Sequence, residues 1–119
     1  MPSAREDYLL RMIQQLGVVL ARLRERLTGA TVDEAGDIER EAAASIGTLL
    51  GPQAPLLGQI DAGTAVRLVG SADRVATWVA FLRVQAEAHR VAGRADAADR
   101  LAHRAAALEA AARGAWPEG

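Results

Sequence analysis

Cysteine and lysine are both missing from this sequence of 119 residues, and aromatic side chains are scarce. Without cysteine, the chain forms no disulfide and offers no thiolate for catalysis or for a zinc or iron–sulfur site. With one Phe, one Tyr and two Trp, the core must be built from Leu, Val, Ile and Ala. Alanine buries little area, and buried apolar area contributes roughly 25 cal/mol per Å². The composition therefore predicts a thin core that a second copy or a partner would complete.

Charge is balanced along the chain, with 14 basic residues, all arginine, against 15 acidic residues and a net charge of −1. Neither end carries a basic or an acidic tail. Nucleic acids recruit proteins through phosphate neutralisation, which needs a net positive field that this chain does not have. The sequence therefore predicts no nucleic-acid partner.

Long hydrophobic runs are also missing, since no stretch of about 18 apolar residues occurs, and no transmembrane helix is predicted. Arg5, Glu6 and Asp7 precede the first apolar region, and Arg11 and Gln14 interrupt it. This pattern is not typical of a signal peptide. The expected location is the cytoplasm.

Apolar residues recur at helical spacing in four segments of the sequence, and this pattern predicts four long helices. Thr31 and Glu34 have the spacing of a capping box at the start of the second helix. The predicted helices cover residues 4–28, 32–50, 72–92 and 95–113. The inner stripe of the first helix is Leu9, Ile13, Leu16, Leu20, Leu23 and Leu27, with Met12 and Val19 beside it.

Residues 52–70 predict a connector of two short helical turns, the second capped by Asp61 and closed by Gly70. No segment shows the alternation of a strand. The sequence therefore predicts an all-α fold. We expect an antiparallel helical bundle, or a short stack of two long helical hairpins joined by a short helical connector. Residues 1–113 form one domain in this interpretation, and residues 114–119 form a tail.

Small residues near the end of the chain predict a tight helical hairpin. The sequence places Ala88, Gly93, Ala98 and Ala105 at intervals of 5, 5 and 7 residues. The segment 82–108 resembles one tetratricopeptide repeat (TPR), in which small residues lie at helix contacts and a glycine lies near the turn. The matching residues are Leu82, Ala86, Gly93, Ala98 and Ala105. The resemblance implies a TPR-like hairpin packed within a short helical stack.

Three positions depart from that repeat. Gln85 stands where a large apolar residue is usual, and His89 and Ala102 stand where aromatic residues are common. About three repeats are normally needed for a stable solenoid, and one good copy is present. Separately, the segment Asp7–Ile13 and the leucine-rich helix after it are similar to the start of a family of small bacterial proteins of unknown function. That resemblance implies a bacterial cytoplasmic protein and no particular activity.

Catalytic patterns are missing as well: the sequence shows no Ser/His/Asp set, no carboxylate pair and no glycine loop for phosphate. Asp96, Asp99 and His103 share one helical face, which we interpret as a solvated face with local ion pairs and not as a metal site. Glu87 is expected to pair with Arg83 or Arg90. We predict neither an enzyme nor a bound cofactor or metal.

The leading hypothesis is a non-enzymatic protein–protein interaction or self-assembly module, whose partner is itself or another protein. The predicted interface consists of the apolar stripe of the first helix and the alanine face of the last helix, and Trp116 is expected to be a docking residue. The interface candidates are Leu9, Met12, Leu16, Val19, Leu23, Ala98, Leu101, Ala105 and Trp116. One alternative is a small-ligand-binding domain with an apolar pocket between the first helix and the helix at 72–92. Another is a peripheral membrane protein attached through its first helix.

Overall fold

The computed structural model describes residues 3–118, which form helices, turns and no strand. In chain order the helices are α1 (Ala4–Leu27), α2 (Val32–Leu50), α3 (Ala54–Leu57), α4 (Ala62–Val69), α5 (Ala72–Val91) and α6 (Ala95–Ala115). A single 3-10 turn, Gly51–Gln53, joins α2 to α3. The predicted all-α bundle, with two long hairpins joined by a short helical connector, is confirmed.

Helix α5 is the centre of the bundle. It has buried residues around most of its circumference, including Val75, Phe81 and Val84. Helices α1, α2 and α6 each pack against it. A helix that is apolar on several sides must be covered on several sides, so the sequence of α5 dictates this arrangement.

Two arginines of α1 fasten it to α2. Arg22 and Arg26 donate to the two carboxylate oxygens of Glu41, at 2.7 and 3.0 Å. Leu23, between them in sequence, is fully buried. These two ion pairs are partly exposed to solvent. The buried apolar stripe of α1 therefore supplies most of the stabilisation of the α1–α2 pair.

The hairpin turns rely on glycines in the left-handed conformation. Gly29 follows α1 with φ of 73°, and Gly93 separates α5 from α6 with φ of 78°. Beyond Gly93, the amide of Arg94 donates to the carbonyl of His89 at 2.8 Å, which satisfies an end group of α5. The predicted turn at Gly93 is therefore present.

Arginine side chains of α5 and α6 bind backbone carbonyls near the ends of α2 and α3. Arg74 of α5 donates to the carbonyl of Leu49, and Arg104 of α6 donates to the carbonyl of Leu57, both at 2.7 Å. Burial lowers the pKa of both guanidinium groups below the ordinary arginine value. These bonds satisfy carbonyls near the ends of α2 and α3 that have no partner within their own helix.

The last helix is longer than predicted. It continues past residue 113 to Ala115, and Trp116 packs against the core as a half-buried residue. The alanine-rich sequence has high helix propensity, and Gly114 is tolerated in the final turn. The helices predicted to end at 28 and 92 end at Leu27 and Val91. Residues 1, 2 and 119, which belong to the predicted domain and tail, lie outside the described residues.

We expect the capping box of α2 to contribute measurably and in a pH-dependent way. The Thr31 hydroxyl accepts from the Glu34 amide, and the Glu34 carboxylate accepts from the Thr31 amide, both at 3.2 Å. Thr31→Ala should lower the free energy of unfolding by about 1 kcal/mol at pH 7, as measured by urea unfolding.

The acid dependence follows from the Glu34 carboxylate. Hydrogen bonds from Thr31 lower its pKa below the ordinary value. The contribution of the Glu34 carboxylate to the free energy of unfolding is therefore fully present above its pKa in the unfolded chain. It is lost as the pH falls through the lower pKa of the folded protein. The stability difference between the wild type and Glu34→Gln should narrow between pH 6 and pH 3. A difference that stays constant over this range would contradict the assignment.

Candidate functional site

The interface candidates predicted on the first helix lie on its core-facing side. Met12, Leu16 and Leu23 are buried, and Leu9 and Val19 are half-buried against the same core. Their spacing of three and four residues is that of a stripe packed inside a bundle. Within this chain they pack against its own helices rather than facing a partner.

The candidates on the last helix are divided between core and surface. Ala98 and Ala105 are fully buried, so their small size serves the close packing of α6 within the chain. Leu101 and Trp116 are half-buried and pack against the core. Part of each remains accessible in a groove of the surface.

The opposite side of α1 presents a surface that we call the α1 solvent face, defined as Leu10, Gln14, Gly17, Val18 and Ala21. These residues lie within about one quarter of the helix circumference at 100° per residue. Leu10 and Val18 are 52% and 67% exposed. A Cβ atom added to Gly17 would meet nothing within 4 Å. A mid-helix glycine costs about 0.5–1 kcal/mol relative to alanine, and no close approach within residues 3–118 requires it.

Charges of opposite sign border the two ends of the α1 solvent face. Glu6 and Asp7 lie in the first turn of α1, whereas Arg24 and Arg26 lie in its last turn, next to Arg22. Arg22 and Arg26 also bind Glu41. This distribution favours the helix dipole, but both ends are mixed, because Arg5 and Arg11 lie near the first turn and Glu25 lies in the last turn.

A partly buried polar network connects α2, α5 and the turn before α6. Gln85, only 8% exposed, donates from Nε2 to Glu39 Oε1 at 3.0 Å. Arg94 Nε donates to His89 Nδ1 at 2.8 Å, which leaves Nε2 as the ring nitrogen on the side of Glu39. That nitrogen lies 3.8 Å from Glu39 Oε1. These contacts give a structural role to Gln85 and His89, two residues of α5 at which the sequence differs from a tetratricopeptide repeat.

The sequence does not single out Glu39, because a carboxylate on a surface helix is expected to face solvent. The signal that could have found it is its position, directly after the buried Ile38 and three residues before the buried Ala42. A long carboxylate at the edge of an inner face reaches a polar residue on the neighbouring helix. Gln85, a polar residue on the buried side of α5, marks where a polar partner is needed.

The remaining charged candidates form surface ion pairs. Glu87 lies 3.3 Å from Arg90, one of its two predicted partners. Arg83 instead binds Glu109 of α6 through both guanidinium nitrogens at 3.1 Å. Among residues 3–118 no three His, Asp or Glu side chains come together as a metal site.

Two grooves beside α5 each contain a tryptophan side chain. The first lies between α1 and α6, has a volume of about 240 Å³ and is floored by Ala72, Ala76 and Ala80, with Trp116 as one wall. Arg24, Arg83, Arg113 and Glu109 line its rim. Hydrogen bonds from Arg83 lower the pKa of Glu109. This cavity lies where the sequence predicts a pocket between the first helix and the helix at 72–92, with α6 as an additional wall.

The second groove lies between α2 and α6 and has a volume of about 630 Å³. Trp78 and Leu82 of α5 contribute to its floor, and Arg100 and Arg104 of α6 lie along one side. Other apolar lining residues are Ile46, Leu50 and Leu101. Gln85 and His89 of the polar network lie at its far end, toward the α5–α6 turn.

No family model, curated protein or solved structure matches the chain. In the part of the chain that the structure describes, no helix is both long enough and apolar enough to cross a bilayer. Functional inference therefore rests on the surfaces described above.

Because Trp116 packs against the bundle, we expect its removal to weaken the fold. Trp116→Ala should lower the free energy of unfolding by about 1–3 kcal/mol, since part of a large apolar side chain is lost from the core edge. Pro117→Ala, at an exposed neighbour, is the matched control and should change little. Equal stability of Trp116→Ala and wild type in urea unfolding would contradict this packing.

Proposed function

We propose that this protein is a non-enzymatic helical interaction module that assembles with a second copy of itself through the α1 solvent face. The observation that supports this most is the pair Leu10 and Val18, two large apolar side chains exposed on the same side of one helix. The other side of α1 is buried in the bundle, so α1 is held in place while this face stays accessible. Exposed apolar patches with polar borders are typical of interaction sites.

An antiparallel pairing of two α1 helices accommodates these residues well. Four residues spaced i, i+3, i+4 and i+7 form the hole that receives a side chain from a facing helix. On α1 these are Gln14, Gly17, Val18 and Ala21, and the knob is Leu10 of the second copy. The two-fold symmetry of such a pair repeats the contact on both sides. Gly17 and Ala21 allow the two backbones to approach closely.

The charges at the two ends of this face are mixed, because Arg5 and Arg11 lie near Glu6 and Asp7, and Glu25 lies beside Arg24. The antiparallel direction therefore rests on the fit of Leu10 into this hole, and the apolar contact supplies the affinity.

The exposed apolar residues of the connector do not form a comparable surface. Leu56 and Leu68 are 54% and 55% exposed, but each is a single residue on the short connector helices. Isolated exposed hydrophobic residues are normal on protein surfaces. A membrane surface fits the α1 face less well, because interfacial helices carry a broader apolar side and a basic polar side. Here Gln14 divides the two apolar residues, and acidic residues flank them.

Sedimentation over a hundredfold concentration range tests the proposal. The wild type should show a concentration-dependent rise in mass toward a dimer. Val18→Glu should weaken dimerisation at least about tenfold, because a buried carboxylate is costly without a partner. Leu68→Glu is the matched control, since it places the same charge at a similarly exposed leucine on α4 and should leave dimerisation unchanged. A monomer at all concentrations, or equal weakening by both variants, would contradict the proposal.

Glycine substitutions give an independent test, because Gly17→Ala is expected to raise the stability of the fold and to weaken dimerisation. Gly17→Ala should stabilise the fold by about 0.5–1 kcal/mol, because alanine favours the helix. The same change should weaken dimerisation, since it adds a methyl group where two helices come close. Gly47→Ala is the matched control in α2, where an added Cβ also meets nothing within 4 Å. It should stabilise the fold without affecting dimerisation, and the same result for Gly17→Ala would contradict close packing at Gly17.

A further inference from the structure

We infer that the groove between α2 and α6 binds a small organic anion, an aliphatic carboxylate whose chain lies on the apolar floor and whose carboxylate meets Arg100 and Arg104. This inference concerns a different side of the molecule from the α1 solvent face and does not depend on dimerisation.

The shape of the groove suits such a ligand. Its volume of about 630 Å³ lies within the usual range for small-molecule sites, roughly 300–1,000 Å³. Ile46, Leu82 and Leu101 provide apolar contacts from three different helices. A flexible alkyl chain can follow this floor, whereas a highly polar ligand would leave its own groups without partners.

The charge of the groove points to an anion. Arg100 and Arg104 lie one helical turn apart on α6 and both line the groove, but no aspartate or glutamate does. The other lining polar groups are Gln85 and His89. Two guanidinium groups on one side of an apolar groove form strong, directional hydrogen bonds with a carboxylate. Because the chain as a whole has a net charge of −1, this local basic character is not a general property of the protein.

Arg104 is already held in position. Its guanidinium donates to the Leu57 carbonyl at 2.7 Å and lies 5.8 Å from the centre of the Trp78 ring. A prepositioned donor binds its ligand with a smaller loss of conformational freedom.

The groove between α1 and α6 is a weaker candidate for the same ligand. It is smaller, at about 240 Å³. Two of its three arginines, Arg83 and Arg113, lie near the Glu109 carboxylate, which already compensates their charge. Among residues 3–118 neither Arg100 nor Arg104 forms such an ion pair, although the charge of Asp61 acts on Arg104.

The two tryptophans allow each groove to be tested separately, because Trp78 lines one and Trp116 lines the other. In a Trp116→Phe background, Trp78 is the only fluorophore of its kind. Titration with decanoate should give a saturable change in Trp78 fluorescence. Decanol, which has the same chain length without the charge, should bind at least tenfold more weakly.

Arginine variants then locate the charged end of the ligand. Arg100→Gln should weaken decanoate binding at least about tenfold, as expected for loss of a charge-assisted hydrogen bond. Arg100 is exposed, so the variant should keep its fold, which thermal unfolding checks. Arg113→Gln is the matched control on the same helix and should leave the affinity unchanged.

Three results would overturn the inference. One is the absence of a saturable change below the concentration at which decanoate itself aggregates. Another is equal affinity for decanoate and decanol, which would indicate apolar binding without recognition of the anion. The last is weakening by Arg113→Gln that matches the weakening by Arg100→Gln, which would place the ligand elsewhere.

Discussion

Burial of α5 by its neighbours is the constraint on which the rest of this structure depends. Phe81, Val75 and Val84 point in different directions from α5, and each is buried. Three helices, α1, α2 and α6, meet this requirement from different sides. Three helices around a fourth leave gaps between them, and the grooves that contain Trp78 and Trp116 are such gaps. Both grooves thus follow from the covering of one central helix.

The scarcity of large side chains is compensated in two ways. Ala98 and Ala105 bring α6 close to the central helix, so that contact is made by backbone and methyl groups rather than by long side chains. Arg74 and Arg104 extend across the remaining gaps and satisfy carbonyls near the ends of α2 and α3. Arginine combines an apolar stem with a forked donor group, and it therefore serves packing and hydrogen bonding at once.

Helix positions could be predicted closely from the sequence because caps, glycines and apolar spacing agree locally. Thr31, Gly29 and Gly93 lie at the ends where their chemistry predicts them. The sequence predicts less well whether a given helical face packs inside the chain or lies on its surface. An apolar stripe such as Leu16 and Leu23 has the same spacing whether it packs inside the chain or against a partner, so its destination depends on the tertiary fold. Long-range polar pairs such as Glu39 with Gln85, 46 residues apart, depend on the fold in the same way.

The short turn at Gly93 has a consequence for the order in which the chain folds. Helices α5 and α6 are neighbours in sequence and share the most extensive interface of the molecule, so their pairing closes only a small loop. Alanine side chains lose no rotamer freedom when they are buried, which lowers the entropic barrier further. Local contacts of this kind form fast. We expect the C-terminal hairpin to form first and α1, at the other end of the chain, to join a bundle that already exists.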